Sequence, residues 1–151
     1  MLPARKTLPH TPPPFVSHSS WFFITVCCQR RGLNQLCTPA TAQALLEDAS
    51  FYHKSGHWNL CLFLLMPDHL HLIAGFPYLI AMSKVVRDWK RLTTRHGGIE
   101  WQRGYFDHRL RRGENLRKKV EYIRQNPVRV GLVERAEDWP HYIDYRTWED
   151  R

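Results

Sequence analysis

The stretch WNLCLFLLMPDHLHLIAGF, residues 58–76, holds two apolar runs on either side of Pro67 and Asp68. Each run has the length and the composition of a β-strand. Pro67 and Asp68 have turn chemistry, because proline fixes φ and an aspartate side chain can bond to the nearby backbone. The stretch therefore predicts a hairpin with strands at 58–66 and 69–76, and Pro77 ends the second strand.

The segments around this hairpin predict the order β-α-β-β-α-β followed by one more helix. The aromatic and β-branched run WFFITVCC at 21–28 predicts a strand that is covered on both faces. Apolar spacing predicts helices at 39–53, 78–96 and 114–126, the last ended by Pro127, and residues 105–110 complete the sheet. This is the ferredoxin-like α+β arrangement, with the two core helices on one sheet face and the other face open to a ligand.

Length and composition predict one folded domain. A chain of 151 residues with 43% hydrophobic and 24% charged residues removes roughly 70% of its unfolded surface from water when it folds. Residues 1–20 contain five of the ten prolines and are predicted to form a flexible arm. The folded domain is expected at 21–145, with a C-terminal tail at 146–151.

The cysteines and the apolar runs predict a cytoplasmic protein. The four cysteines stand at 27, 28, 37 and 61 without CxxC spacing, which indicates reduced thiols and disfavours a zinc-stabilised structural domain. No apolar run approaches the roughly 20 residues of a membrane helix, and prolines stand where a signal peptide would carry its apolar core. We expect neither secretion nor a membrane span.

The positive charge is concentrated in one segment. The formal net charge is +8, and residues 101–131 carry nine basic and three acidic side chains, whereas residues 132–151 carry three basic and six acidic ones. A basic segment favours an anionic partner such as nucleic acid, although basic composition also serves solubility. The candidate DNA-binding residues are Arg103, Arg109, Arg111, Arg112, Arg117, Lys118, Lys119, Arg124 and Arg129.

His69 and His71 flank Leu70 on the second hairpin strand. Side chains alternate along a strand, so both imidazoles project from one face while Leu70 and Leu72 project from the other. Two ring nitrogens on one face can reach one metal ion. The alternative is a pair of polar side chains on an exposed sheet face, but two histidines in an otherwise apolar hairpin favour a functional reason.

Tyr122 and Asn126 are four residues apart on the third predicted helix and therefore share one side of it. That side lies beside the apolar stripe of Leu116, Val120 and Ile123, which is predicted to dock on the domain. The surrounding cations can hold a phosphate backbone and stabilise a phenolate. Attack on a phosphodiester requires a nucleophile such as a tyrosine, a metal held by side chains such as a histidine pair, and cations. The alternative is a tyrosine at the rim of the helix that packs its ring against the domain and leaves its hydroxyl in water.

Three motifs carry a resemblance to a known family. They are LMPDHLHL at 65–72, WQRGYFDHRL at 101–110 and YIRQNPVRVGLV at 122–133. In this order and at these separations they resemble the IS200-like (Y1) transposases of the HUH type, most closely the REP-associated tyrosine transposases. The resemblance extends from about Trp21 to Tyr145. The chain departs from the family after Trp139 and Pro140, where HYI at 141–143 stands in place of serines before a tyrosine.

The resemblance implies a single-stranded DNA endonuclease and strand transferase that acts on hairpin-forming DNA. Tyr122 matches the nucleophile that forms a 5′-phosphotyrosine link. His69 and His71 match the histidines that hold Mg²⁺ or Mn²⁺, and Asn126 matches the polar residue that completes this metal site. The implied partner is single-stranded DNA with REP-like palindromes, bound by a monomer or homodimer in the cytoplasm and nucleoid, with no nucleotide cofactor.

A second function from another class stays open at this point. A DNA- or RNA-hairpin-binding module that is domesticated from a transposase would keep the basic surface and lose the chemistry. The presence of Tyr122, His69, His71 and Asn126 together favours the enzyme.

Overall fold

The computed structural model describes residues 20–110 and 114–146. The predicted arm lies outside these residues except for Ser20, and the predicted tail lies outside them except for Arg146. Arg111 and Arg112 also lie outside them.

A five-stranded antiparallel sheet forms the centre of the fold. Its strands are β1 (Trp21–Cys27), β2 (Asn59–Leu65), β3 (His69–Gly75), β4 (Phe106–Leu110) and β5 (Tyr142–Asp144). They lie in the order β4-β1-β3-β2-β5. Because β3 lies between β1 and β2, the helical connection from β1 to β2 spans an intervening strand, as in a split βαβ unit. The predicted core order β-α-β-β-α-β is confirmed.

Two helices cover one face of the sheet. They are α1 (Pro39–Lys54) and α2 (Met82–Gly97). Leu45 of α1 and Trp89 of α2 are buried in one cluster with Ile24, Leu70 and Leu72 of the central strands. No helix among the described residues is long and apolar enough to cross a membrane.

The opposite face of the sheet is not open along its whole length, which corrects the prediction. Helix α3 (Glu114–Arg124) packs there. Its Val120 and Ile123 are fully buried against Leu62, Leu64 and Ile73 in a second cluster. The apolar stripe of α3 needs an apolar surface to cover it, and the outward side chains of β2 and β3 supply one.

The bounds of two predicted helices are wrong. Helix α2 begins at Met82 rather than at residue 78, because Ala81 is extended (ψ 138°) and residues 78–80 form a turn after Pro77. The third predicted helix is two helices, α3 and the short α4 (Asn126–Arg129), with Gln125 between them. Pro127 lies in the first turn of α4, where its missing N–H is harmless, so it opens a helix instead of only ending one.

Strand β5 has no counterpart in the prediction. Leu62, Phe63 and Leu64 of β2 pair with Asp144, Ile143 and Tyr142. The segment HYI, in which the chain departs from the family, thus completes one edge of the sheet. Three residues are too short for a periodic signal, so only the pairing partner makes this segment a strand.

Candidate active site

The two histidines lie on the sheet face that carries α3. His71 is opposite Thr25 in the register of β1 and β3, and His69 is opposite Cys27. Their ring centroids are 4.8 Å apart and the rings are nearly perpendicular. Leu70 and Leu72 between and beyond them are buried on the opposite face. The alternation that the sequence predicted is confirmed.

Each histidine ring is oriented by a hydrogen bond at Nδ1. Nδ1 of His69 lies 2.9 Å from the Asp68 carboxylate, and Nδ1 of His71 lies 2.9 Å from Thr25 Oγ1. Nε2 of both rings has no partner among the residues that the structure describes. Histidines that bind metals commonly use one ring nitrogen for the metal and donate the other N–H to a carboxylate or oxygen nearby. The pair fits that pattern.

Asp68 is itself held in place by the loop after β1. Its carboxylate accepts hydrogen bonds from the Arg31 guanidinium (3.0 Å) and from the Gly32 backbone N–H (2.7 Å). Gly32 has φ +86°, a left-handed conformation that favours glycine. Burial opposes ionisation of Asp68, but the bonds from Gly32, Arg31 and His69 outweigh it and hold the pKa of Asp68 well below its usual range. Asp68 is therefore a carboxylate.

Thr25 and Asp68 were not among the predicted site residues. Asp68 served in the prediction only as turn chemistry. The position of Asp68 next to His69 in the chain was the one sequence feature that could have indicated its role. Thr25 has no such feature, because it reaches His71 only through the pairing of β1 and β3.

His71 is surrounded by apolar groups and cations. Its ring lies 5.3 Å from the ring of Phe23. Burial, followed by the charges of His69, Arg129 and Lys119, lowers the pKa of His71 to about 3. The ring is therefore neutral at physiological pH, and a neutral imidazole is the form that binds a metal.

Tyr122 is exposed on the same side of the molecule. More than half of its surface (54%) is accessible. The Lys119 ammonium lies 5.1 Å from the centre of the Tyr122 ring and 4.8 Å from that of Phe23. Since Phe23 also contacts His71, a continuous set of contacts joins the predicted nucleophile to the histidine pair. The tertiary structure brings Tyr122, His69 and His71 to one face.

Asn126 is not on the helix that carries Tyr122, which corrects the prediction. It opens α4, and Arg129 of that helix connects the two residues. The Arg129 guanidinium stacks over the Tyr122 ring at 4.0 Å and donates to Tyr122 O (2.8 Å) and to Asn126 Oδ1 (2.9 Å). An amide oxygen has two lone pairs, so Asn126 Oδ1 can accept this bond and still offer one lone pair to a ligand.

Among the described residues, no three side chains of His, Cys, Asp or Glu form a group that could hold a metal ion. His69 and His71 therefore have no third side chain of these four types beside them among those residues. The amide of Asn126 is the predicted third ligand.

The predicted DNA-binding cations divide between several places. Arg117, Lys118, Lys119 and Arg129 lie on α3 and α4. Arg103 lies on the other side of the sheet, beside α2, and Arg109 bonds Ser20 at the β4 edge. Arg124 is only 16% exposed, because its guanidinium stacks on Tyr142 at 4.0 Å and faces Asp144 at 3.6 Å. Arg124 thus contributes to the docking of α3 on β5.

Among Trp89, Trp101, Tyr105 and Phe106, which could stack on bases, only Phe106 has an exposed side chain. Trp89 is buried, and Trp101 and Tyr105 are partly buried against the helix-side cluster. Phe106 is 67% exposed. It lies opposite Thr25 in the β1–β4 register, next to the residue that orients His71.

Comparison with known proteins supports the resemblance at the level of sequence. No protein-family model matches the chain. A REP-associated tyrosine transposase of Escherichia coli K12 is 29% identical over 136 residues, which cover 87% of this chain and 80% of that protein. A relative from Haemophilus influenzae, whose name places it in the same group, is 30% identical over 100 residues. That match covers 54% of this chain and 56% of the relative.

A solved structure supports the resemblance at the level of fold. It is the structure of a REP-associated tyrosine transposase bound to a REP hairpin. It matches with a TM-score of 0.71 and 27% identity, over 82% of this chain and 75% of that one. The resemblance predicted from the three motifs is confirmed.

Proposed function

We propose that this chain, which resembles the REP-associated tyrosine transposases in sequence and fold, is a single-stranded DNA endonuclease and strand transferase. It acts on hairpin-forming DNA through a 5′-phosphotyrosine link at Tyr122, with Mg²⁺ or Mn²⁺ at the histidine pair. The observation that carries the proposal is the shared face: an exposed tyrosine beside cations, joined through Phe23 to two histidines with oriented rings.

The transfer chemistry needs only Tyr122 as the covalent group. Its Oη attacks the phosphorus, the new O–P bond forms, and the bond from phosphorus to the 3′ oxygen breaks. The phenolic proton goes to solvent, and the leaving oxygen takes up a proton to become a 3′-hydroxyl. One phosphodiester is exchanged for another, so a later attack by a 3′-hydroxyl restores DNA without a nucleoside triphosphate.

The cations around Tyr122 can balance the negative charge of the phosphate. The Lys119 ammonium and the Arg129 guanidinium lie 5.1 Å and 4.0 Å from the centre of the Tyr122 ring. Positive groups in this position attract the phosphate, stabilise a phenolate and stabilise the negative charge that grows in the transition state. Arg129 also holds Asn126 near the tyrosine, so one guanidinium organises two of the site residues.

The residues fit a divalent metal. His69 and His71 offer Nε2, their Nδ1 atoms are fixed by Asp68 and Thr25, and Asn126 offers an amide oxygen. Nitrogen and oxygen donors suit Mn²⁺ well, and Mg²⁺ accepts such sites when water and phosphate oxygens complete the shell. When bound, such an ion supplies Lewis-acid polarisation of the scissile phosphate.

The partner proposed is hairpin-forming single-stranded DNA with REP-like palindromes, because the structural relative is bound to a REP hairpin. Such an enzyme works in the cytoplasm and at the nucleoid, as a monomer or a homodimer. Phe106 and the cations of α3 and α4 form the surface that receives the strand next to the scissile bond.

The test is a denaturing gel with labelled single-stranded hairpins from the genomic flanks of the gene, with and without Mn²⁺. We expect a metal-dependent covalent adduct that Tyr122→Phe abolishes while hairpin binding persists, because only the nucleophilic oxygen is removed. His69→Ala should lose the metal-dependent cleavage with its fold preserved. A Tyr122→Phe protein that still forms the adduct contradicts the mechanism, and tight binding without any adduct or nick establishes the binding module instead.

A further inference from the structure

A groove beside α2 concentrates positive charge away from the candidate active site. It has a volume of about 720 Å³ and lies between α2 and the loop of residues 101–105. Its charged lining residues are all basic: Arg87, Lys90, Arg91, Arg95 and Arg103. We call it the α2 groove. Helix α2 packs on the sheet face opposite α3, so the α2 groove is distinct from the face that carries Tyr122.

The three arginines of α2 form a row. Arg87, Arg91 and Arg95 follow one another at intervals of four residues, which places them on one side of the helix over a length of roughly 12 Å. Arg87 lies 3.7 Å from Asp88. Arg91 also acts on Asp88 through its charge, but among the residues that the structure describes neither Arg91 nor Arg95 has a carboxylate within ion-pair distance. Guanidinium groups in a row favour a polyanion over an isolated acid.

The opposite wall is held firmly in place. The Lys90 ammonium donates to the carbonyls of Gln102 (2.8 Å) and Gly104 (2.7 Å). Trp101 Nε1 donates to Thr93 Oγ1 at 2.9 Å. Gly104 has φ +77°, which a side chain at this position would strain. The groove is therefore a preformed site rather than a gap between mobile side chains.

The α2 groove also meets the end of the sheet that carries His69. The Gln102 N–H donates to the carbonyl of Cys27 at 2.8 Å, and Cys27 is the register partner of His69. The loop of the groove therefore adjoins the end of the sheet at which His69 lies. Trp101 and Tyr105 line that wall and offer partly exposed rings to unpaired bases.

We propose that the α2 groove binds the backbone of single-stranded DNA that extends from the proposed hairpin substrate. The identity of the strand rests on the proposed function, but the contacts do not involve Tyr122, the histidines or α3. The arginine row binds successive phosphates, and the wall with Trp101 and Tyr105 favours unpaired bases over a stacked duplex. The groove thereby adds affinity for flanking strand without reading its sequence.

The test measures fluorescence anisotropy with labelled oligo-dT of about 16 nucleotides, a length that covers one to several single-strand sites, and with a blunt duplex of equal length. Arg91→Ala with Arg95→Ala should weaken oligo-dT binding about tenfold. The slope of log affinity against log salt should fall by about 1.4, or 0.7 for each lost contact. Arg91→Lys with Arg95→Lys should restore most of both, since the contacts are electrostatic.

The matched control removes two exposed charges elsewhere, by Lys54→Ala with Arg135→Ala. An equal loss in this control, an unaltered affinity in the groove variant, or a preference for the duplex overturns the proposal. A photo-crosslink from 4-thiothymidine should map to residues 101–105, and crosslinks confined to residues 114–124 also contradict it.

The failure of this proposal is distinguishable from failure of the proposed function. If the hairpin adduct never forms but the groove variant loses oligo-dT binding, only the enzyme proposal fails. If the adduct forms and oligo-dT binding is unchanged in the groove variant, only the proposal for the α2 groove fails.

Discussion

Asp68 controls the orientation of the His69 ring. It bonds His69 at 2.9 Å and is anchored by Arg31 and Gly32. Because its own charge sets which ring nitrogen of His69 carries the proton, we regard Asp68 as a positioning residue for the proposed metal site.

Asp68→Asn should raise the Mn²⁺ concentration required for half-maximal cleavage by roughly 10- to 100-fold. The amide keeps the shape of the side chain but removes the carboxylate that accepts the His69 N–H. The measurement is a Mn²⁺ titration of hairpin cleavage, with circular dichroism to confirm the fold. Asp107→Asn, on exposed β4, is the control, and an unchanged Mn²⁺ midpoint in Asp68→Asn refutes the positioning role.

Phe106 is a large apolar side chain that is exposed to solvent. Its register partner on β1 is Thr25, which orients His71. We expect Phe106→Ala to weaken binding and cleavage of single-stranded substrate by about 1–3 kcal/mol, the value of one base–aromatic stack. Its unfolding free energy should change by less than about 0.5 kcal/mol, because the side chain is exposed. Phe51→Ala, exposed on α1, is the control. Equal substrate affinity in wild type and Phe106→Ala would show that no base stacks there.

At the scale of elements, α3 combines docking and function on two sides of one helix. Val120 and Ile123 are fully buried, whereas Tyr122 between them in sequence is 54% exposed. Successive residues point about 100° apart around a helix. An apolar stripe that docks the helix therefore presents the tyrosine and its cations to solvent in a defined direction.

Replacement of Arg117, Lys118 and Lys119 by Ala should weaken hairpin binding and flatten its salt dependence, because fewer counterions are released when fewer phosphates are contacted. Lys119 contacts both Tyr122 and Phe23, so Lys119→Ala should also slow cleavage at saturating DNA. The measurements are binding isotherms at several salt concentrations and single-turnover cleavage rates. An unaltered salt slope in the triple variant would move the hairpin surface elsewhere.

At the scale of the whole molecule, the sheet separates two apolar clusters. One cluster joins α1 and α2 to the sheet, and the other joins α3 to it. The candidate active site is built on the second cluster, so packing there affects both stability and the placement of Tyr122. The first cluster supports stability and the wall of the α2 groove.

Ile123→Ala and Leu45→Ala test this separation as a matched pair. Both delete buried apolar groups and should lower the unfolding free energy by about 2–5 kcal/mol. At a temperature where both variants remain folded, only Ile123→Ala should slow hairpin cleavage, because it loosens α3. Denaturant unfolding and single-turnover cleavage supply the two readouts. Equal cleavage rates in the two variants would show that the α3 cluster has no special role in the site.

The sequence by itself determined the features that depend on local periodicity. Alternation along the hairpin placed His69 and His71 on one face, helical spacing placed Tyr122 beside the docking stripe, and the order of the core elements followed from their patterns. These properties depend on residues that are close in the chain, so a local pattern is sufficient to predict them.

The tertiary structure alone decided what depends on contacts between distant segments. Thr25 bonds His71, which is 46 residues away in the chain. Residues 142–144 form β5 because they pair with β2. Helix α3 covers part of a sheet face that the sequence pattern predicts to be open. Arg124, which the sequence predicts as a DNA contact, packs against Tyr142 and Asp144 because β5 lies beside it. The α2 groove gathers residues of α2 and of the loop at 101–105, which only the fold brings together. Local patterns do not record such pairings, since they are set by which surfaces are covered when the chain packs.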